Sequence, residues 1–260
     1  MTGTFGRVVA PYDPFSAEVL EDPFPAYAAL RDECPVHRFD GFDPPFFTVT
    51  RHADVAAMLR DWETWSSHYG QSPRFTATGC LFSDPPAHTT YRRLVQEGFA
   101  PRVVERLEPD IFRLANELVD ALLARGGSGD LHDDVACPLP VLVIAHLLGV
   151  PPDQIAQFKA WSDRQVEAMN SSDPDASKAT RALLDEFFTD QLEFRRSLLR
   201  DAGLDPATAP QDALGDVVPD DVISGLLVAE TTDGEGETRR LEDPELLNIL
   251  QQLLVGGNET

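Results

Sequence analysis

The order of apolar and polar residues reads as helix over most of the chain. Residues 103–123 place Val104, Leu107, Ile111, Leu114, Leu118 and Leu122 three and four apart, the repeat that lines one face of an amphipathic helix. Pro109 is a point at which that helix could break. Shorter helical patterns cover 25–32 and 54–59. Residues 139–148 are apolar on nearly every side and predict a buried helix, followed by further helices over 152–169 and 176–199. A last element opens with Asp243 as a cap, Pro244 in the first helical position and Glu245 near the positive helix end. It continues as the apolar stripe Leu246, Ile249, Leu250, Leu253 and Leu254. Strand signals are scarce. The best is 46–50, and a second covers 226–241, where Asp233-Gly234-Glu235-Gly236 reads as a hairpin turn. The pattern predicts a mainly α protein with a small β component, in a single domain over 1–260.

Composition narrows the function classes. The chain has 21 basic against 44 acidic residues and a formal charge of −23, which repels phosphate backbones and argues against nucleic acid as a partner. Cys34, Cys80 and Cys137 are few, far apart and without a Cys-x-x-Cys pair, so neither a zinc site nor a disulfide framework is expected. Three free thiols suit a reducing cytoplasm. The start of the chain lacks the apolar stretch of a signal peptide or anchor, and the longest apolar stretch, 141–150, is too short to span a bilayer. A soluble, cytoplasmic protein with no membrane contact is expected. Between residues 201 and 243 there are 12 acidic residues and only 2 basic ones, Arg239 and Arg240, which reads as a solvated loop and hairpin surface.

Two constellations carry chemistry. The first runs from Asp84 to Phe99, with Asp84 as a helix cap, Pro85 in the first turn, and His88 and Arg92 four apart on one helix face. An imidazole donor and a guanidinium fork together suit the carboxylates of an anionic ligand. The same spacing also describes an exposed helix whose His and Arg meet only water, and no ligand set for a metal surrounds it. The second is Gly256-Gly257-Asn258-Glu259-Thr260. Gly and Asn commonly end a helix. Were the helix instead to continue, each interior Gly would cost about 1 kcal/mol relative to Ala, a cost that fits close approach of something to the backbone. Glu259 beside Thr260 would then make a plausible proton-delivery pair.

In this order and spacing the motifs resemble the cytochrome P-450 superfamily, in particular its soluble bacterial members. The resemblance rests on Asp22-Pro23-Phe24-Pro25, on Val49-Thr50-Arg51-His52-Ala53-Asp54-Val55, and on Asp84-Pro85-Pro86-x-His88-x-x-x-Arg92-Arg93-Leu94-Val95. It continues through Pro140-x-x-Val143-Ile144-x-x-Leu147-Leu148-Gly149-Val150-Pro151 to Gly256-Gly257-x-Glu259-Thr260. The resemblance implies that His88 and Arg92 hold the haem propionates. It implies that Gly256 and Gly257 leave room for dioxygen over the haem, and that Glu259 and Thr260 are the catalytic acid–alcohol pair. The implied fold is the N-terminal portion of a P-450 domain, cut within the long central helix.

The implied activity is that of a haem-dependent monooxygenase, which inserts one oxygen atom from dioxygen into a small organic substrate. Electrons would come from NAD(P)H indirectly, through a ferredoxin-type partner. Residues 84–113 hold five bases and five acids, a face on which an acidic ferredoxin could dock or which could be ordinary charge scatter. The family's Phe-x-x-Gly-x-x-x-Cys-x-Gly loop and its Glu-x-x-Arg motif have no counterpart here, so the iron ligand is expected beyond this chain and the isolated chain is expected to be inactive. The alternative is a non-catalytic remnant or a helical small-molecule-binding module. Substrate contacts are expected from the loop over 66–82, where Phe75 and Phe82 could line a pocket or the core, and from helices around 166–188.

Overall fold

A computed structural model describes residues 12–68, 79–170, 174–232 and 237–258. The chain divides into two compact units, Met1–Thr78 with Phe82–Pro85, and Gly79–Leu81 with Pro86–Thr260.

The first unit contains α1 (Ala17–Glu21), α2 (Phe24–Glu33), β1 (Val36–Phe39), β2 (Phe46–Val49) and α3 (His52–Arg60). β1 and β2 form an antiparallel ladder with Val36 opposite Val49 and Phe39 opposite Phe46. Only β2 is legible in the sequence. β1, Val36-His37-Arg38-Phe39, lacks a run of β-branched residues, and what fixes it is its partner strand and the packing of Phe39 and Phe46 against Phe15.

Among its described residues the second unit is mainly helical, with one small hairpin. Its helices are α4 (Ala87–Gly98), α5 (Pro101–Ala124), α6 (Pro138–Leu148), α7 (Ile155–Asn170), α8 (Pro174–Asp201), α9 (Val222–Val228) and α10 (Asp243–Asn258), and β3 (Glu230–Thr232) pairs antiparallel with β4 (Thr238–Arg240). The mainly α class with a small β component holds. α5 runs unbroken through Pro109. The face it turns inward is Val103, Leu107, Ile111, Leu114, Leu118 and Leu122, all half-buried, whereas Val104, expected on that face, is exposed. α6 is the buried helix its composition requires, with Val141, Ala145 and Leu148 fully enclosed. The stripe of α10 is buried at all five expected positions.

Three local expectations are corrected. The strand signal over 226–241 begins too early, because residues up to Val228 belong to α9. A short apolar run fits a buried helix as well as a strand, and here Asp221 decides it by accepting the Ser224 N–H at 2.7 Å as an N-cap. The β3–β4 hairpin follows, and its expected turn at 233–236 lies outside the described residues. Asp84 does not cap α4, whose N-cap is Pro86 without a side-chain bond; the Asp84 carboxylate instead accepts from the Ser67 N–H at 2.9 Å and from the Ser66 hydroxyl. Asp243 is not the cap of α10 either. Glu245 reaches back to the Glu242 N–H at 2.8 Å, half of a capping box, while Asp243 pairs with Arg196 of α8.

Candidate functional site

His88 and Arg92 lie one turn apart on α4, as their spacing requires. His88 is half-buried and Arg92 exposed. Among the described residues neither has a hydrogen-bond or ion-pair partner, although the chain carries twice as many acids as bases. A guanidinium and an imidazole that find no acid in so acidic a protein are available to an anionic ligand.

The helix of the second constellation does not end at its glycines, since α10 continues through Gly256 and Gly257 to Asn258. The two glycines differ. A Cβ on Gly257 would lie 2.9 to 3.2 Å from three carbon atoms of Ile144, so its missing side chain lets α10 approach α6. A Cβ on Gly256 would meet nothing within 4 Å. The open position is therefore Gly256, and Gly257 answers to helix packing. Glu259, Thr260 and Phe75 lie outside the described residues. Phe82 is half-buried. In the substrate-contact stretch expected around 166–188, Phe187 and Phe188 belong to the core, packed with Phe158 and Trp161.

Sequence reasoning missed a polar cluster at the opposite end of α10. The Glu245 carboxylate accepts two hydrogen bonds from Arg239, at 2.6 and 2.7 Å, one from the Tyr91 hydroxyl of α4 at 2.5 Å, and the Glu242 N–H. Burial alone would raise the Glu245 carboxyl, but the bonds from Arg239, Tyr91 and the Glu242 N–H outweigh it and hold it at about 2. Burial and the adjacent Glu245 push the Tyr91 phenol up to about 12. Burial, with Glu245 nearby, pushes the Cys80 thiol up to about 12 as well, and its Sγ donates to the Glu245 carbonyl at 3.6 Å. One signal was present in the sequence: Arg239 and Arg240 are the only bases in the acidic stretch 201–243, and both are used internally. Arg240 donates to the carbonyls of Leu227 and Ala209.

A cavity of about 670 Å³ opens among α4, α5, α6 and α9, with Leu94, Val103, Leu147, Val222 and Leu226 in its wall. None of His88, Arg92, Gly256 and Gly257 lines it. Elsewhere Asp130, His132 and Asp133, all exposed, bring one potential ligand atom each within 4.8 Å of one another.

No protein-family model matches the chain. Individual proteins do. Cytochrome P450 130 of Mycobacterium tuberculosis is 33% identical over 259 residues, covering 94% of this chain and 58% of its own length. The vitamin D(3) 25-hydroxylase of Pseudonocardia autotrophica is 34% identical over 257 residues, covering 96% of this chain and 57% of its own length. The chain belongs to the cytochrome P450 family. Solved P450 structures share its fold: CYP109Q5 from Chondromyces apiculatus aligns with a TM-score of 0.73 and 32% identity over 96% of this chain. The P450 PksS of Bacillus subtilis aligns with a TM-score of 0.75 and 26% identity over 96% of this chain. In both alignments the chain spans 58% of the neighbour, so it amounts to somewhat more than half of a P450. Among the described residues no helix of this P450 segment is long and apolar enough to cross a membrane.

Proposed function

We propose that this chain supplies the propionate clamp and the oxygen-side helix of a haem-dependent monooxygenase. The longer protein would insert one oxygen atom from dioxygen into a small organic substrate. The observation that carries the reading is the unpartnered pair His88 and Arg92 on one face of α4 in a P450 family member. Their donor chemistry fits two carboxylates, a bidentate fork for one and an imidazole N–H for the other. The open position at Gly256 fits a helix against which a flat cofactor or a small gas molecule rests.

Haem, when bound, supplies the redox centre at which dioxygen is reduced and one of its atoms is passed to a C–H or C=C bond. The residues of this chain do the rest of the local work. His88 and Arg92 orient the cofactor through its propionates, and Gly256 keeps the helix surface clear. The Thr260 hydroxyl and Glu259 carboxylate hold and move protons for oxygen activation. Electrons come from NAD(P)H through a ferredoxin-type partner, for which residues 84–113, with five bases and five acids, offer a stretch less acidic than the chain as a whole. The iron ligand belongs to a part of the protein beyond this chain. Cys80 is unsuited to the role because its side chain is buried against the head of α10, with its Sγ donating to the Glu245 carbonyl. The three free thiols accord with a cytoplasmic enzyme. Relatives named as a hydroxylase and as a monooxygenase support oxygen insertion as the reaction class.

The test is the reduced carbon-monoxide spectrum of the full-length protein, encoded by the reading frame followed beyond Thr260. A red-shifted Soret band of thiolate ligation is expected; a folded protein that binds small molecules without that band would favour the non-catalytic binding module. Haem retention is expected to fall in His88→Ala plus Arg92→Ala, and unchanged retention would remove the propionate assignment. Thr260→Ala is expected to uncouple oxygen consumption from product, and normal coupling would remove its proton role.

A further inference from the structure

Tyr91 stands on α4 between His88 and Arg92, and its ring is half-buried. The other contacts that fix α4 lie toward its C-terminal end, where Gly98 closely approaches Val222 of α9. α4 opens without a side-chain cap, and its fully buried residues, Leu94 and Val95, lie in the second half of the helix. The turn carrying His88 and Arg92 is instead tied down through Tyr91, whose hydroxyl donates to Glu245 at 2.5 Å.

The acceptor is held in place on its other sides. Glu245 takes both terminal nitrogens of Arg239, and it closes on the Glu242 N–H at the start of α10. Further along α10, a second side chain anchors the segment ahead of α4. Gln252 accepts the Leu81 N–H at 3.0 Å and donates to the Gly79 carbonyl at 3.2 Å.

We propose that Tyr91 is a positioning residue for haem binding: its hydroxyl, bonded to Glu245 at the head of α10, sets the rotation of α4 that presents His88 and Arg92 to the propionates. This rests on the propionate reading above. Tyr91 does not touch the cofactor in this arrangement. It acts through the orientation of the two donors, and it links the clamp to the helix that carries Gly256.

The test measures haem loss from the full-length, haem-loaded protein to an excess of apomyoglobin, followed by absorbance. Tyr91→Phe keeps the ring and removes one hydrogen bond, and is expected to speed haem loss roughly three- to tenfold. Glu245→Ala removes the same bond from the other side and is expected to reproduce the acceleration even where Tyr91→Phe folds poorly. Val150→Ala, a core deletion away from α4, serves as the control at a matched melting temperature and is expected to leave the rate unchanged. Acceleration by Val150→Ala equal to that by Tyr91→Phe would reduce Tyr91 to a general stability role and overturn the inference. So would an unchanged rate in Tyr91→Phe when His88→Ala plus Arg92→Ala loses haem quickly. If that double variant also keeps its haem, the propionate reading itself has failed, and the two failures are told apart.

Discussion

Arg195 of α8 and Asp221 at the head of α9 form an ion pair of 2.6 Å from which water is nearly excluded, with side-chain exposures of 2% and 8%. The guanidinium is satisfied on every side. It also donates to the Ser224 hydroxyl, the Gln191 carbonyl and side chain, and the Gly149 carbonyl at the end of α6. Three helices therefore meet on one buried cation. Removing one partner leaves the other charge buried and unpaired, at a cost of about 3–5 kcal/mol. Arg195→Met and Asp221→Ala are each expected to unfold in denaturant with stability lower by that order. The double variant should be less damaged than the sum, because the second substitution removes an already orphaned charge. Additive losses would show that the two residues do not act as a pair.

Gly149 belongs to the same junction. Its φ of +79° lies in the left-handed region, and a Cβ there would overlap an Asp221 carboxylate oxygen. Gly149→Ala combines backbone strain with a clash against a carboxylate that cannot yield without releasing Arg195. A loss of at least about 2 kcal/mol is expected in thermal or denaturant unfolding. A variant as stable as the parent would show that this junction can repack.

The two glycines of α10 should part company. Gly256→Ala meets no neighbour and replaces a poor helix former, so stability should be unchanged or rise by up to about 1 kcal/mol. Gly257→Ala presses on Ile144 and should cost about 1–3 kcal/mol, with recovery when Ile144→Val is added. Melting curves of the three variants check this, and equal effects at 256 and 257 would contradict the packing difference. In the haem-loaded protein the order should invert for the ligand: a larger side chain at 256 is expected to disturb cofactor binding more than one at 257.

Glu245 gives a pH signature. Its carboxyl sits at about 2 in the fold against an ordinary 4.5, so the folded state favours the ionised form. That stabilisation is complete above about 4.5 and is lost as pH falls from there through about 2. The Arg239 side chain is 35% exposed, so solvent screening reduces the contribution to about 1–2 kcal/mol. Glu245→Gln should therefore be less stable than the parent at neutral pH, with the gap closing as pH falls through that window. A gap independent of pH between 5 and 2 would mean that the carboxylate contributes only through its shape.

How much of this was legible in the sequence differs between elements. α6, α10 and the inward face of α5 were readable because burial repeats with the helix period, and a period survives in a linear string. The pairing of His88 with Arg92 was readable for the same reason, as four residues return to one face. The wrong cap at Asp84 and the early strand at 226 have a common cause. A capping residue or an apolar run is compatible with several local structures, and the choice falls to contacts made elsewhere, with Ser66 and Ser67 in one case and through Asp221 in the other.

The sequence by itself determined the helical class, the buried and exposed faces of most helices, the family resemblance, and which residue types could hold an anionic cofactor. Tertiary structure alone decided that Tyr91 meets Glu245 across 154 positions, that Arg195 is a buried clamp, and that Gly257 serves packing while Gly256 stays open. The physical reason is range. Periodicity records how a segment meets water, which each segment expresses on its own, whereas an ion pair or a close helix contact depends on which distant residue the fold delivers, and no spacing within a segment encodes that.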